Sequence, residues 1–299
     1  MKIESGHTPL PIIATKVQPN KEVEKTGGAK SKSAETLDKQ STQRRILQWF
    51  SQVGVGHGFS GKNAPNIDDK IQRRNKMSAQ RKLSNLEQIL GRALDFCLDD
   101  GKADNLDPDW FFSFVSMAEE IYSPAMQELW GKIFAVETSR PGTFSLRSLQ
   151  TLKQLTQKDA KIFGTAVSLA SRRKGESTPR LILGYYQKSS VWSLFNVHKE
   201  HQLNLAEYGL GYPDLLSLMD LGLIHPSEIE SGELPIHSRT EWRCAGQHMH
   251  LSANKRGTTL VYYKFTATGA ELYKLVAGHR HESYVGALKF TLANAFEIS

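Results

Sequence analysis

Three stretches of this chain bring together residue types that can do chemistry. The densest is Cys244-Ala-Gly-Gln-His248-Met-His250. Zinc accepts thiolate and imidazole, and alternate residues of an extended strand point to one face, so Cys244, His248 and His250 are the candidate metal ligands. A structural zinc needs a fourth donor, for which His237 and His281 are the candidates. The spacing matches no zinc knuckle or finger. Ordinary strand residues are therefore the expected reading, and no cofactor is assigned.

The second stretch, Gly56-His57-Gly58-Phe59-Ser60-Gly61-Lys62-Asn63, approaches the phosphate-cradling loop of nucleotide-binding proteins. Asn63 stands where a magnesium-binding hydroxyl belongs, and Pro65 interrupts the helix that should begin there. A plain loop is expected. The third stretch is basic: Arg73, Arg74, Lys76, Arg81 and Lys82 lie along one helical segment. Lys255 and Arg256 fall in the Asn- and Gly-bearing loop Ser252–Gly257, whose composition suits the tip of a hairpin. Together these seven cations are the candidate contacts to nucleic-acid phosphates.

No catalytic set is visible. His198-Lys-Glu-His201 lacks the histidine spacing of zinc proteases, His279-Arg280-His281 reads as a polar turn, and no nucleophile elbow is present. Glu119, Glu120, Glu128 and Glu137 read as solvated or ion-paired carboxylates rather than an acid–base pair.

The elements that carry these residues follow from periodicity and punctuation. Residues 1–40 are rich in Lys, Glu, Ser, Thr and Gly and lack sustained apolar spacing, which predicts a disordered basic tail. Ile46, Leu47, Trp49, Phe50 and Val53 then form an apolar stripe, expected to dock as a short helix on the body. A helix beginning near Asp68 turns amphipathic at Leu83, with Leu86, Ile89, Leu90, Ala93, Phe96 and Cys97 at three- and four-residue spacing, so Cys97 reads as a core thiol. Asp107-Pro108 and Ser123-Pro124 start two more helices, Leu146 to Leu155 a third, and Thr156 with Asp159 a capped fourth. Residues 41–174 are thus expected to be an all-helical domain. After Arg172-Arg173-Lys174-Gly175 the pattern changes, with strands around Leu181–Tyr186, Gln247–Leu251 and Thr259–Phe265, and helices at Asp214–Met219, after Thr266 and after Ser283. The expected fold is mainly α with a small α+β part over 178–299.

Charge and composition bound the function classes. The 299 residues carry net charge +7, with 39% hydrophobic residues and a mean hydropathy of −0.42. That is enough apolar material for packed cores. The excess is uneven: residues 1–92 hold 17 Lys and Arg against 8 acids, while residues 93–140 hold 3 against 10. Such a split lets the basic third meet phosphate or fold back on the acidic stretch. No apolar run is long enough to span a bilayer. The two cysteines, 147 positions apart, suggest no disulfide framework, so a cytoplasmic location is expected.

Two resemblances add to this. Glu128-Leu129-Trp130, Ile133, Glu137, Pro141-Gly142, Phe144-Ser145, Arg147, Leu149, Leu152, Leu155, Asp159-Ala160 and Phe163 resemble an uncharacterised bacterial protein family of unknown function. The likeness extends over most of the chain outside the tail. It implies no chemistry, and members of such families are sometimes associated with phage defence. Residues 212–276, through Leu221-Gly222-Leu223-Ile224 and Phe265-Thr266 to Gly269 and Leu272, are similar to the second half of a winged-helix domain. That likeness implies a groove helix at Asp214–Asp220 and a wing bearing Lys255 and Arg256. The helix offers Asp214, Ser217 and Asp220 but no Arg, Lys, Asn or Gln for base edges. The expected function is a non-catalytic cytoplasmic interaction or scaffold protein that binds a protein partner or forms a homo-oligomer. Nucleic-acid binding through the basic helix and wing is the alternative.

Overall fold

The computed structural model describes residues 30–56, 66–96, 105–187, 201–276 and 281–299, the backbone alone being given for 30–39. The chain forms two compact units, residues 1–78 and residues 79–299. In the first, helix α1 (Lys30–Gln52) begins within the stretch read as a tail. On it Ile46, Leu47, Trp49 and Phe50 are exposed. Gly54 ends this element with φ +79°, a left-handed turn that an L side chain adopts only with strain. A Cβ there would lie 3.2 Å from Arg74 Cα at the base of helix α2 (Ile67–Asp95).

The second unit contains the rest of α2 and a series of helices that start where the sequence punctuates them. Asp107 accepts a hydrogen bond from the Asp109 amide (2.9 Å) and Pro108 occupies the first position of α3 (Pro108–Ala118). Ser123 caps α4 (Pro124–Ser139), Ser145 caps α5 (Leu146–Gln154), and Thr156 with Asp159 completes a reciprocal capping box on α6 (Gln157–Leu169). Each cap satisfies an amide that the first helical turn leaves without a partner.

Beyond α6 the chain is richer in strand than expected. Strands β1 (Ser171–Arg173), β2 (Arg180–Gln187), β3 (His201–Gln202), β4 (Ile229–Glu230), β5 (Arg239–Cys244), β6 (Gln247–Ala253), β7 (Thr258–Lys264) and β8 (Phe296–Ile298) form one antiparallel sheet. Its order is β4-β7-β2-β1-β5-β6-β8, with β3 on β2. Helices α7 (Tyr212–Asp220), α8 (Ala267–Tyr273) and α9 (Glu282–Leu292) complete the unit. The architecture is therefore mixed, with a full sheet rather than a small α+β appendage.

β6 and β7 do not pair as a hairpin around Ser252–Gly257: β6 lies between β5 and β8, and β7 between β2 and β4. The tight hairpin is β5–β6, turned by Ala245 (φ +42°) and Gly246 (φ +83°). Two successive positive-φ residues give the turn whose twist matches the flanking strands.

The buried side chains form one cluster running from Ile89 through Trp130, Leu149 and Phe163 to Leu181, Phe265, Tyr284 and Phe296. α9 is fastened to the sheet by Tyr284, whose hydroxyl donates to the Ile182 carbonyl at 2.7 Å. α8 is tied to α5 by Glu271, whose carboxylate accepts from the Ser145 amide and the Ser148 hydroxyl, both at 2.6 Å.

Candidate functional site

An apolar hollow in the second unit lies between the exposed side of α2 and the aromatic side of α3. It encloses about 410 Å3 and is lined by Leu83, Leu86, Glu87, Ile89, Leu90, Phe111, Phe112, Phe114, Val115 and Phe134. The sequence puts it there because α3 is apolar on more than one side. Trp110, Phe114 and Ala118 turn inward and are buried. Phe111, Phe112 and Val115 are then left on the flank, with Phe112 69% exposed. On α2 only Asn85, Ile89 and Ala93 are buried, so the continuous stripe expected from Leu83 onward is wider than the core it meets. Leu83 and Leu90 stand 58% and 55% exposed. Cys97 lies outside the described residues.

The floor of this groove is closely packed with rings. Phe114 packs at 5.2 Å from each of Trp110, Trp130 and Phe134, and Phe111 at 5.9 Å from Phe134. The Trp110 indole donates to the Phe144 carbonyl at 2.7 Å, anchoring α3 to the loop before α5. Beside the groove, charges are neutralised in pairs. Lys82 bonds Glu119, Lys153 bonds Glu120, and Lys132 bonds Glu128 at 2.7 Å. The lysine partners hold the Glu120 and Glu128 carboxyls below the usual range, through their hydrogen bonds first. Asn85 links α2 to this network, donating to the Glu119 carbonyl at 2.8 Å and accepting from Gln127. Such an apolar hollow with a single charged residue in its wall suits an aromatic or aliphatic group.

Glu137 departs from the solvated or paired reading. It is 2% exposed, and its carboxylate accepts from the amides of Gly142 (2.5 Å) and Phe144 (2.8 Å). It locks the Pro141-Gly142 loop onto α4, a structural task.

The candidate metal residues do not converge. On the antiparallel β5–β6 hairpin, directly opposed residues share a face. Cys244 opposes Gln247, Trp242 opposes Met249, Arg243 opposes His248 and Glu241 opposes His250. The two-residue turn thus sends Cys244 into the core and both histidines to the other face. Cys244 is fully buried, and burial pushes its thiol up to about 11. His237, at φ +60°, and His250 border a separate polar hollow of about 250 Å3 with Arg239, Ser252 and Glu297. His281 caps α9 through Nδ1. His201 stacks on Tyr185 at 5.1 Å. Among the described residues no three His, Cys, Asp or Glu side chains are grouped to hold an ion. The glycine-rich loop after Gly56, His198 and His279 lie outside the described residues.

The seven candidate cations divide. Arg73, Arg74 and Lys76 are exposed on α2. Arg73 and Arg81 each have an interaction partner. Lys82 is committed to Glu119. Lys255 and Arg256 project from a loop held by its backbone. Gly257 N–H donates to Glu233 (2.9 Å), Thr258 Oγ1 donates to the Lys255 carbonyl (2.8 Å), and Gln187 donates to the Arg256 carbonyl (3.2 Å).

Sequence reasoning missed the open face of β1–β5–β6. There Arg172 on β1 opposes Arg243 on β5, and Arg243 opposes His248 on β6. All three are exposed. The signal, alternating charge in Ser171-Arg-Arg and Arg239-Thr-Glu-Trp-Arg-Cys244, was present but short. No helix among the described residues is long and apolar enough to cross a membrane.

A model of the family described as a protein of unknown function, DUF2806, matches residues 69–289. No curated protein and no solved structure matches the chain.

Proposed function

The chain belongs to the DUF2806 family, and on that premise we propose that it is a non-catalytic, cytoplasmic bacterial interaction protein whose helical part, within 41–174, takes an apolar helix from a second copy or a partner protein. The observation that carries this reading is the α2–α3 groove. Its aromatic floor and its exposed Leu83, Leu90 and Phe112 form an apolar patch of the kind that soluble proteins cover on assembly. Helix-in-groove recognition lays the apolar face of an amphipathic helix into a hollow of this kind. The part from 178 to 299 is read as winged-helix-like, built on α7, the Ile224–Phe265 bridge, the β4–β7 pairing and α8. On α7, Asp214 is engaged in capping Gly211 N–H, while Tyr212 and Leu216 are exposed, which supports protein contact over base reading.

Sedimentation of the full chain, with and without Leu90→Glu and Phe112→Glu together, tests the proposal. The parent is expected to self-associate, or to retain a nuclease-resistant host partner in pull-down, and the double variant to lose either. A monomeric parent whose recovered partners are the same for the double variant overturns it.

A second reading, nucleic-acid binding, is favoured by the braced Lys255–Arg256 loop, with Arg73, Arg74, Lys76, Arg81 and Lys82 as further phosphate contacts. Affinity should fall steeply with salt and weaken when Lys255 and Arg256 become glutamate. If no duplex or single strand binds at low salt, this reading ends.

A further inference from the structure

We propose that the open face of β1–β5–β6 is a phosphate-backbone contact for nucleic acid, made by Arg172, Arg243 and His248. Two like charges directly opposed across antiparallel strands repel, whereas a carboxylate opposite a cation stabilises the pair. The neighbouring row on the same face does so: Lys174 Nζ meets the Glu241 carboxylate at 2.6 Å, and Glu241 opposes His250. Lys174, chiefly through that hydrogen bond, holds the Glu241 carboxyl below the usual range, with smaller contributions from His250 and Arg239. The Arg172–Arg243–His248 row has no such answer. Neither guanidinium meets a carboxylate among the described residues, and the third strand supplies an imidazole.

The ligand follows from chemistry and spacing. Guanidinium groups match phosphate oxygens with paired N–H donors. Opposed antiparallel residues stand about 5 Å apart, so three groups in line span roughly 10 Å. A nucleic-acid strand carries one charge per about 3.4 Å of axis, so the row faces two or three consecutive phosphates. The described outward residues of these strands, Arg172, Arg239, Glu241, Arg243, His248, His250 and Ser252, include no Phe, Tyr or Trp on which a base could stack. The contact is therefore to backbone and indifferent to sequence. This inference goes beyond the groove reading and supplies a nucleic-acid contact separate from Lys255 and Arg256.

The test is fluorescence anisotropy of the full chain with labelled single-stranded and duplex DNA of about 16 nucleotides, from about 50 to 200 mM salt. For Arg172→Gln with Arg243→Gln, the slope of log affinity against log salt is expected to flatten by roughly 1.5 to 2. The parent would then lose roughly tenfold more affinity than the variant across that range. Arg172→Lys with Arg243→Lys should keep the parent slope, and Lys174→Gln, on the adjacent row, should leave it unchanged. Lys255→Glu with Arg256→Glu is measured separately, so loss there alone supports the Lys255–Arg256 loop reading and overturns this one. Absence of binding at low salt overturns both. An undiminished slope in the glutamine pair, or binding of inorganic phosphate alone by these residues without DNA binding, overturns the present inference.

Discussion

Replacing Glu137 by glutamine probes the strongest structural claim about the motif region. The carboxylate sits at 2% exposure with one oxygen on the Gly142 amide and the other on the Phe144 amide. Glutamine keeps one acceptor but turns an NH2 toward the second amide, leaving donor facing donor in a buried site. A hydrogen bond to a charged group contributes about 1.5–3 kcal/mol, and an unsatisfied buried donor costs a further 1–3 kcal/mol or so. Removing a buried charge offsets part of this. The net cost is about 2–3 kcal/mol. Because Phe144 also receives the Trp110 indole on its carbonyl, the loss spreads to the α3 anchor. For a unit of this size each kcal/mol shifts Tm by about 2–4 °C, so Glu137→Gln should melt roughly 5–10 °C below the parent. Glu137→Ala, which leaves both amides without an acceptor, should fall further. The assay is circular-dichroism melting with urea unfolding at matched pH. A glutamine variant within about 1 °C of the parent would refute the reasoning.

Other perturbations follow from the same geometry. Burial raises the Cys244 thiol to about 11, above its ordinary 9.0, so the protonated form is the native one. Its stabilising contribution is intact below the unfolded value and is lost as pH rises from about 9 through about 11, up to roughly 3 kcal/mol. The alkaline fall in Tm should therefore be shallower in Cys244→Ala, and equal slopes would contradict this. Gly246→Ala forces a Cβ into φ +83° in the β5–β6 turn and should cost about 1–2 kcal/mol, read by urea midpoint. Leu90→Glu with Phe112→Glu, both exposed, should change Tm little while altering assembly, and a large loss of stability would mean that the groove belongs to the core.

How much was legible in the sequence depended on how local the cause was. Asp107-Pro108, Ser123-Pro124 and Thr156 with Asp159 marked their helices because capping is settled within four residues. Pairing is settled over long separations. β6 and β7 are consecutive, and Asn254 to Gly257 have turn composition, yet the strands part because each finds another neighbour. β7 aligns with β2 from Arg180↔Lys264 to Gln187↔Thr258, pairs 84 and 71 residues apart. The real hairpin hid in Ala245-Gly246, where alanine at φ +42° gives no warning.

The candidate site was obscured for a related reason. Apolar periodicity reports that a face is apolar, not whether the protein itself covers that face. Leu83, Ile89 and Leu90 share one pattern, but only Ile89 meets the core. The metal reading failed on parity. Alternation places His248 with His250, but a two-residue turn preserves pairing rather than alternation, so Cys244 follows Gln247 and Trp242 follows Met249. The same register that separates the thiol from the histidines sets Arg243 between Arg172 and His248. The chemistry of this hairpin therefore lies in the charges of its open face, which carry no carboxylate partner in the Arg172–Arg243 row, and not in the sulfur beneath it. Substituting Cys244 should consequently leave any salt-dependent binding by that face intact.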